Sequence, residues 1–324
     1  MSEPEVSTKS PENDALEAVP IATATSSTQD EAPATSENPQ TLEEPSETEP
    51  QTSVGTIPSG ELTQLGGIDV YISKPADYPH SPSKFLLFLT GGTGLSSTNQ
   101  LQADVYAKNG FVVVMPDLFA GDPAPNTFDP NAPDPNGASA SLLERIKLHA
   151  AETAKSFLID MWLARHTPEK VLPIIYTVLQ AAKDEFADAV ANGDGVYAVG
   201  YSFGGKYVIL LAAEGKQGDE EEGKKAPEIK AGAVAHATAA SREDMEGIKA
   251  PLTFVCVGPE DPLFPPEVVD VGRTYMKMTG IPYEIEMFER VPHGFAILGG
   301  YTDPAIKEAQ SKAFEQMLKW LQSH

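Results

Sequence analysis

The sequence contains a single cysteine, Cys256, among its 324 residues. One cysteine cannot form an internal disulfide bond, so a disulfide-stabilised secreted domain is excluded. Cys256 lies within an apolar run and is expected to be a small buried residue of a strand. Basic residues are also scarce, because 23 lysines and arginines stand against 47 aspartates and glutamates, for a net charge of −24. Nucleic acid and anionic membranes are bound by clustered positive charge, so neither is an expected partner.

Long apolar runs are missing as well. The first residues, Met1–Val6, have neither the basic segment nor the apolar segment of a secretory signal peptide. No apolar run approaches the length of a membrane span. We therefore expect a soluble cytoplasmic protein, either a monomer or a homodimer. No cluster of histidine and cysteine has the spacing of metal ligands, and neither a metal ion nor another cofactor is expected.

The N-terminal segment differs in composition from the rest of the chain. Its first 55 residues include 12 acidic residues, one lysine and no aromatic residue. Such a segment buries too little apolar surface to offset the entropy lost on ordering. We predict a disordered acidic tail over residues 1–57, with a spacer or solubilising role, followed by one folded domain over residues 58–324.

Beyond residue 60, apolar runs alternate with helical patterns. The continuous runs at 85–90 and 111–115 are typical of buried parallel strands, and the alternating run at 68–73 is typical of an edge strand. Further strands are predicted at 195–200, 231–236, 252–258 and 283–288, and helices at 98–108, 142–164, 167–190, 203–214, 265–278 and 303–322. A long loop is expected at 120–139 and a charged surface insertion at 215–228. This alternation predicts an α/β fold with a doubly wound, mostly parallel sheet flanked by helices.

The most informative motif is Gly200–Gly204, which has the sequence Gly-Tyr-Ser-Phe-Gly. Apolar, β-prone residues precede it and helix formers follow it. A strand–turn–helix of this kind is the context of a nucleophile elbow, in which a strained turn exposes a serine hydroxyl at the end of a sheet. Ser202 is therefore the candidate nucleophile. The backbone N–H of Phe203 opens the next helix and is a candidate donor to a developing oxyanion.

A serine hydroxyl needs a general base, and the base needs an orienting acid. Where a nucleophile elbow is used, the chain order is serine, acid, histidine. Asp261 follows the strand at 252–258, and His293 follows the strand at 283–288, so these two complete a candidate triad. Glu260 is the rival acid. His236 is the rival base, although it precedes Asp261 and so breaks the expected order.

The segment Thr90–Gly94, Thr-Gly-Gly-Thr-Gly, follows the buried strand at 85–90. A phosphate-binding loop would continue with Lys-Ser or Lys-Thr, which is absent. We assign the second oxyanion donor to the backbone N–H of Gly92, paired with that of Phe203. Tyr201 and His236 are expected to line the substrate pocket.

Five blocks of sequence resemble the dienelactone hydrolase family, especially its fungal members. The resemblance extends from about Gly60 to the end of the chain. The blocks lie at residues 67–75, 116–123, 200–207, 261–265 and 293–295. The resemblance implies an α/β-hydrolase fold and a nucleophile–His–Asp triad, which would fall on position 202, His293 and Asp261.

The chain departs from the family pattern at three places. The family's nucleophile is usually cysteine, and here it is Ser202. Family members often carry an acidic residue near Gly91 that helps control the thiol, which a serine enzyme does not need. They also commonly carry an arginine shortly after the His-Gly-Phe block, where this sequence has Ile297 and Leu298. Without that arginine, Leu298 in the pocket favours a neutral substrate over a dienelactone carboxylate.

Together these features predict a serine hydrolase that cleaves a small carboxylic ester or lactone through an acyl-enzyme intermediate. Acyl transfer to an acceptor other than water, or hydrolysis of a carbon–carbon bond, would use the same triad. A non-catalytic binding protein built on the same fold is the third alternative, although it would need none of the three triad residues.

Overall fold

The computed structural model describes residues 57–125, 157–213, 226–258, 261–299 and 301–324. Several predicted features lie outside the described residues. These are nearly all of the acidic tail, most of the 120–139 loop, the first part of the 142–164 helix, most of the 215–228 insertion, and Glu260.

An eight-stranded sheet forms the centre of the described chain. Its strands are β1 (Glu61–Leu65), β2 (Ile68–Ser73), β3 (Lys84–Leu89), β4 (Phe111–Pro116), β5 (Val196–Tyr201), β6 (Ala231–Ala235), β7 (Leu252–Val257) and β8 (Tyr283–Phe288). The spatial order is β1-β2-β4-β3-β5-β6-β7-β8. β2 pairs antiparallel with β1 and β4, and the other neighbouring strands pair parallel. The sheet is therefore mostly parallel, as predicted.

Helices cover both faces of the sheet. They are α1 (Ser97–Lys108), α2 (described over residues 157–165), α3 (Pro168–Glu185), α4 (Ala187–Asn192), α5 (Phe203–Ala212), α6 (Arg242–Met245), α7 (Pro266–Thr279) and α8 (Pro304–Ser323). Buried residues of β3 alternate between two clusters, with Phe85, Leu87 and Leu89 on one face and Leu86 and Phe88 on the other. Helices α2 to α7 pack on the first face, and α1 and α8 on the second. A fully apolar strand such as β3 fits this arrangement because both of its faces are covered.

Two predictions about the elements were wrong. The strand at 68–73 is not the edge, because β1 pairs with its outer side. The sequence analysis did not predict β1, because its side chains are mostly exposed and polar and so give no apolar run. The clue was the Gly66–Gly67 dipeptide, whose positive φ angles of 60° and 80° form a two-residue hairpin turn.

The helix predicted at 167–190 is divided into α3 and α4. The break falls at Phe186, whose φ of −117° and ψ of 39° are not helical. Its ring is buried and stacks on that of Phe85, with centroids 6.2 Å apart. Burial of this ring therefore accompanies the break between α3 and α4. The other strands, and the helices at 98–108, 203–214, 265–278 and 303–322, are confirmed to within two residues at each end.

Candidate active site

Ser202 occupies the sharp turn between β5 and α5. Its φ of 48° and ψ of −114° are strained for a residue that has a Cβ atom. Hydrogen bonds on both sides hold the turn. The N–H of Ser202 donates to the carbonyl of Ala235 at 3.0 Å, and its own carbonyl accepts from the N–H groups of Gly205 and Thr238, each at 3.0 Å. The strained turn is thus fixed by α5 and by the chain that follows β6.

Gly204 allows α5 to begin directly against the end of β3. Its N–H donates to the carbonyl of Thr90 at 3.0 Å. A Cβ atom on Gly204 would lie 2.1 Å from the carbonyl oxygen of Leu89, so any side chain there would collide with the strand. The same close packing brings the Gly91–Gly92 segment beside the nucleophile, since a Cβ atom on Gly91 would lie 3.4 Å from that of Ser202.

The structure brings Ser202, His293 and Asp261 together in a line of hydrogen bonds. Ser202 Oγ lies 3.0 Å from His293 Nε2, and His293 Nδ1 lies 2.9 Å from Asp261 Oδ2. Asp261 is buried, whereas 21% of the His293 side chain is exposed. The candidate base is thus partly exposed to solvent and is held by a buried carboxyl group.

The charge state of Asp261 decides which tautomer His293 adopts. Burial raises the pKa of this carboxyl, but hydrogen bonds from His293 and from the backbone N–H groups of Leu263 and Phe264 outweigh burial and leave the pKa below its usual value. An ionised carboxylate only accepts hydrogen bonds. Nδ1 of a neutral His293 must therefore carry the proton, which leaves a lone pair on Nε2 facing Ser202.

We expect Asp261→Asn to lower kcat by about 10³ to 10⁴-fold, because an amide donating to Nδ1 selects the wrong imidazole tautomer. Steady-state hydrolysis of a p-nitrophenyl ester measures the loss. Asp270→Asn is the matched control, since Asp270 pairs with Arg273 on an exposed helix surface. A fall of less than tenfold in Asp261→Asn would contradict the orienting role.

The lowered pKa of Asp261 also sets a pH dependence of stability. A depressed carboxyl pKa stabilises the folded state above the unfolded value of about 3.9, and this contribution is lost as pH falls through the folded pKa. The free energy of unfolding of the wild type should therefore decrease as pH falls through this range, which thermal unfolding at a series of pH values measures.

Side-chain amides hold the loop that carries His293. Gln102 of α1 donates to the carbonyl of Ala296 at 3.2 Å and accepts from the N–H of Leu298 at 3.0 Å. Gln310 of α8 donates to the carbonyls of Phe295 and Ile297, at 2.8 and 2.6 Å. The loop is therefore anchored from two helices.

Two predicted pocket residues lie in the packed interior. Leu298 is 1% exposed, and its backbone N–H is taken by Gln102. Tyr201 is also 1% exposed, its hydroxyl lies 2.8 Å from that of Tyr106, and its ring stacks on Phe88. The prediction that these side chains line the substrate pocket is corrected, because Tyr201 packs against Phe88 and Tyr106 and Leu298 is closed off from solvent.

His236, the third predicted pocket residue and the rival base, is fully buried next to His293. The two ring centroids are 5.0 Å apart. Among the described residues, neither ring nitrogen of His236 has a hydrogen-bond partner. Burial first, and the neighbouring His293 second, keep the pKa of His236 well below its usual value. His236 is therefore neutral, and the hydrogen bond to Ser202 belongs to His293.

The two predicted oxyanion donors belong to segments that meet at Ser202. Phe203 supplies the first N–H of α5, and Gly92 lies in the segment beside Ser202. Neither N–H donates a hydrogen bond to another described residue. Buried aromatic rings of Phe119 and Trp162 pack within 5.2 Å of the Phe203 ring, measured between centroids. Sequence analysis missed Phe119 and Trp162 because they lie outside the catalytic motifs.

Thr238 is a further residue of the site that sequence analysis missed. Its hydroxyl lies 2.9 Å from Ser202 Oγ and 3.1 Å from His293 Nε2. The clue in the sequence was its position three residues after the end of β6, where a parallel sheet places its binding groups.

Other expectations concern cofactors and membranes. Within the described ranges, no group of three or more histidine, cysteine or acidic side chains could hold a metal ion. None of the helices described here is both long and apolar enough to span a bilayer. Cys256 lies in β7, where burial raises the pKa of its thiol to about 12, as suits a structural residue.

Comparison with known proteins places this site in context. A sequence model of the dienelactone hydrolase family matches residues 68–324. Hydrolase pyvD of Aspergillus violaceofuscus is 32% identical over 266 residues, which cover 82% of this chain and 90% of that protein. Dienlactone hydrolase 1 of Gibberella moniliformis is 25% identical over 269 residues, which cover 82% and 87%. The propionate-bound esterase Est2 of Thermogutta terrifontis has a TM-score of 0.55 at 17% identity and covers 81% of this chain and 94% of its own. The structural similarity confirms the predicted α/β-hydrolase fold.

Proposed function

Since the chain belongs to the dienelactone hydrolase family and is a carboxylic ester hydrolase, we propose that it cleaves a small ester or lactone with Ser202 as a covalent nucleophile. The observation that carries the proposal is the pair of hydrogen bonds, 3.0 and 2.9 Å long, that link Ser202 to His293 and His293 to Asp261. Nucleophile, base and orienting acid are thus already within the distances that acyl transfer requires.

In the proposed acylation step, Ser202 Oγ attacks the carbonyl carbon of the substrate while its proton moves to His293 Nε2. Asp261 stabilises the imidazolium and keeps its orientation. The carbonyl electron pair moves onto oxygen, where the N–H groups of Gly92 and Phe203 stabilise it by about 3 kcal/mol per donor. The tetrahedral intermediate then collapses, and the leaving alkoxide takes the proton from Nε2.

Deacylation repeats the same steps with water. His293 Nε2 accepts a proton from water as the oxygen attacks the acyl carbon. The second tetrahedral intermediate collapses, which expels Ser202 Oγ and releases the carboxylic acid. Ser202 Oγ regains its proton from Nε2. A lactone gives a hydroxy acid as the single product, because its alkoxide stays attached to the acyl group.

We further propose a neutral substrate. Ile297 and Leu298 follow the His-Gly-Phe block, so the described loop offers no cation to a carboxylate there. The net charge of −24 adds a general repulsion of anions. A substrate with a free carboxylate would lose solvation without gaining an ion pair.

Pre-steady-state and steady-state hydrolysis of p-nitrophenyl esters test the proposal. We expect a burst of p-nitrophenol equal to the protein concentration, which is the kinetic sign of a covalent intermediate. We also expect p-nitrophenyl pentanoate to be hydrolysed at least about tenfold faster, in kcat/KM, than the mono-p-nitrophenyl ester of glutaric acid, which has a similar length and a negative charge.

The outcomes separate the alternatives. A preference for the anionic ester would contradict the neutral-substrate proposal but not the serine mechanism. If no ester or lactone gives a burst or any turnover, that result would support a non-catalytic binding protein. Turnover that rises when an alcohol or amine is added, with the acyl group found on that acceptor, would support acyl transfer.

A further inference from the structure

The hydroxyl of Thr238, Ser202 Oγ and His293 Nε2 form a closed ring of three hydrogen-bonding distances. The last two atoms are the reacting groups of the proposed site. The Thr238 hydroxyl lies 2.9 Å from Ser202 Oγ and 3.1 Å from His293 Nε2, and those two atoms are 3.0 Å apart. Thr238 is 7% exposed, so bulk water does not readily replace these contacts. Both partners of the hydroxyl are therefore atoms that exchange a proton in the proposed mechanism.

The turn that carries Thr238 is held independently of this hydroxyl. Its N–H donates to the carbonyl of Ser202 at 3.0 Å, and the N–H of His236 donates to the carbonyl of Val255 at 2.7 Å. Lys206 Nζ donates to the carbonyl of Ala239 at 2.9 Å. The hydroxyl of Thr238 is thus placed at Ser202 by the backbone.

A helix-capping role does not account for the hydroxyl. Helix α6 begins after Ser241, and the side chain of Ser241 accepts from the N–H of Asp244 in a reciprocal capping box. Thr238 lies before that cap, and its hydroxyl contacts the nucleophile and the base instead.

The number of protons limits how the ring can be arranged. The neutral imidazole has one lone pair at Nε2, and the two hydroxyls carry one proton each. If Thr238 donates to Nε2, then Ser202 donates to Thr238 and its proton points away from the base. If Ser202 donates to Nε2, Thr238 donates its hydrogen bond to Ser202 Oγ. Only the second arrangement is ready for nucleophilic attack.

We propose that Thr238 is a further catalytic residue, whose hydroxyl donates to Ser202 Oγ and directs the Ser202 proton to His293. The inference rests on the proposed function. During attack, the Ser202 proton moves to Nε2 and the new bond between Oγ and carbon forms, while Thr238 keeps its own proton. Because Oγ gains negative charge as it loses its proton, the bond from Thr238 is stronger in the transition state than in the resting enzyme. The same bond stabilises Oγ when it departs in deacylation.

Two substitutions test the role of the hydroxyl. Thr238→Val keeps the shape of the side chain and removes the hydroxyl, whereas Thr238→Ser keeps the hydroxyl. We expect Thr238→Val to lower kcat/KM for a p-nitrophenyl ester by about 10 to 100-fold, the loss of one hydrogen bond to a developing charge, with little change in KM. Thr238→Ser should stay within about threefold of wild type, and so should Thr274→Val, a matched change at an exposed position of α7.

A second readout separates catalysis from structure. The rate of inactivation by a fluorophosphonate depends on attack by Ser202 and on no later step, so it should fall in Thr238→Val by the same factor as kcat/KM. Thermal unfolding measured beside it reports whether the fold is retained. A Thr238→Val protein that is folded and slow in both assays, with rescue by serine, supports the proposal.

Two results would overturn it. Thr238→Val and wild type could be equally fast in both assays, or Thr238→Ser could lose as much as Thr238→Val, which would assign the effect to side-chain shape. In either case Ser202→Ala still reports on the proposed function. If wild type neither hydrolyses esters nor reacts with the fluorophosphonate, the proposed function fails and this inference fails with it.

Discussion

Ser202→Ala should lower kcat for ester hydrolysis by about 10⁶-fold, the scale seen when the nucleophile of a serine triad is removed. Alanine lacks the oxygen that attacks the carbonyl, and the nearest hydroxyl, that of Thr238, lies 2.9 Å away from the position of the lost Oγ. The binding of substrate should change little, because the side chain that is lost is small. Steady-state kinetics with a p-nitrophenyl ester, on protein checked by thermal unfolding, measures the effect.

Two further variants sharpen this result. Ser241→Ala removes the cap of α6, which costs about 1 kcal/mol of stability but should leave turnover intact. Ser202→Cys should retain more activity than Ser202→Ala, because a thiol still attacks the carbonyl. It should be less active than wild type, because Gly91 stands where family members often carry the acidic residue that helps control the thiol. If Ser202→Ala kept more than roughly 1% of the wild-type rate, the nucleophile would have to be another group.

His293→Ala should reduce kcat by a similar factor, about 10⁶-fold, because Ser202 then has no base to accept its proton. His236 cannot replace it. His236 is buried and neutral and has no hydrogen bond to Ser202 among the described residues. The same ester assay measures the loss.

His236→Phe is the matched control for His293→Ala. Phenylalanine fills the space between Tyr201 and Phe295 and removes two buried nitrogen atoms that have no hydrogen-bond partner in the part of the chain that the structure describes. We expect activity within about threefold of wild type and stability that is unchanged or higher. A loss in His236→Phe as large as that in His293→Ala would mean that both histidines take part in proton transfer.

The candidate triad could be predicted because each member follows a strand of a parallel sheet. The carboxyl ends of parallel strands meet at one edge, so the order of Ser202, Asp261 and His293 in the chain was enough to bring them together. The same reasoning predicts that Thr238 lies at this edge of the sheet, but it does not predict that the Thr238 hydroxyl contacts Ser202. That contact depends on a turn with positive φ at His236 and Ala239, which no short motif encodes.

Predictions failed where a side chain's direction depended on its packing partners. Tyr201 lies next to Ser202 in sequence. Alternation along β5 nevertheless directs its side chain to the face of the sheet covered by α1 and α8, where its hydroxyl forms a hydrogen bond with that of Tyr106. Leu298 closely follows His293, yet it is buried, and its backbone N–H donates to Gln102 of α1. The order of residues along the chain therefore predicted the candidate triad better than it predicted the residues that line the pocket.

Capture of the covalent intermediate tests the central claim most directly. Wild-type protein is mixed with a p-nitrophenyl ester, quenched in acid during turnover, digested, and analysed by mass spectrometry. The proposed mechanism predicts one acyl group per chain, carried by Ser202 and missing from Ser202→Ala. An acyl group on any other residue, or sustained turnover with no covalent adduct, would contradict it.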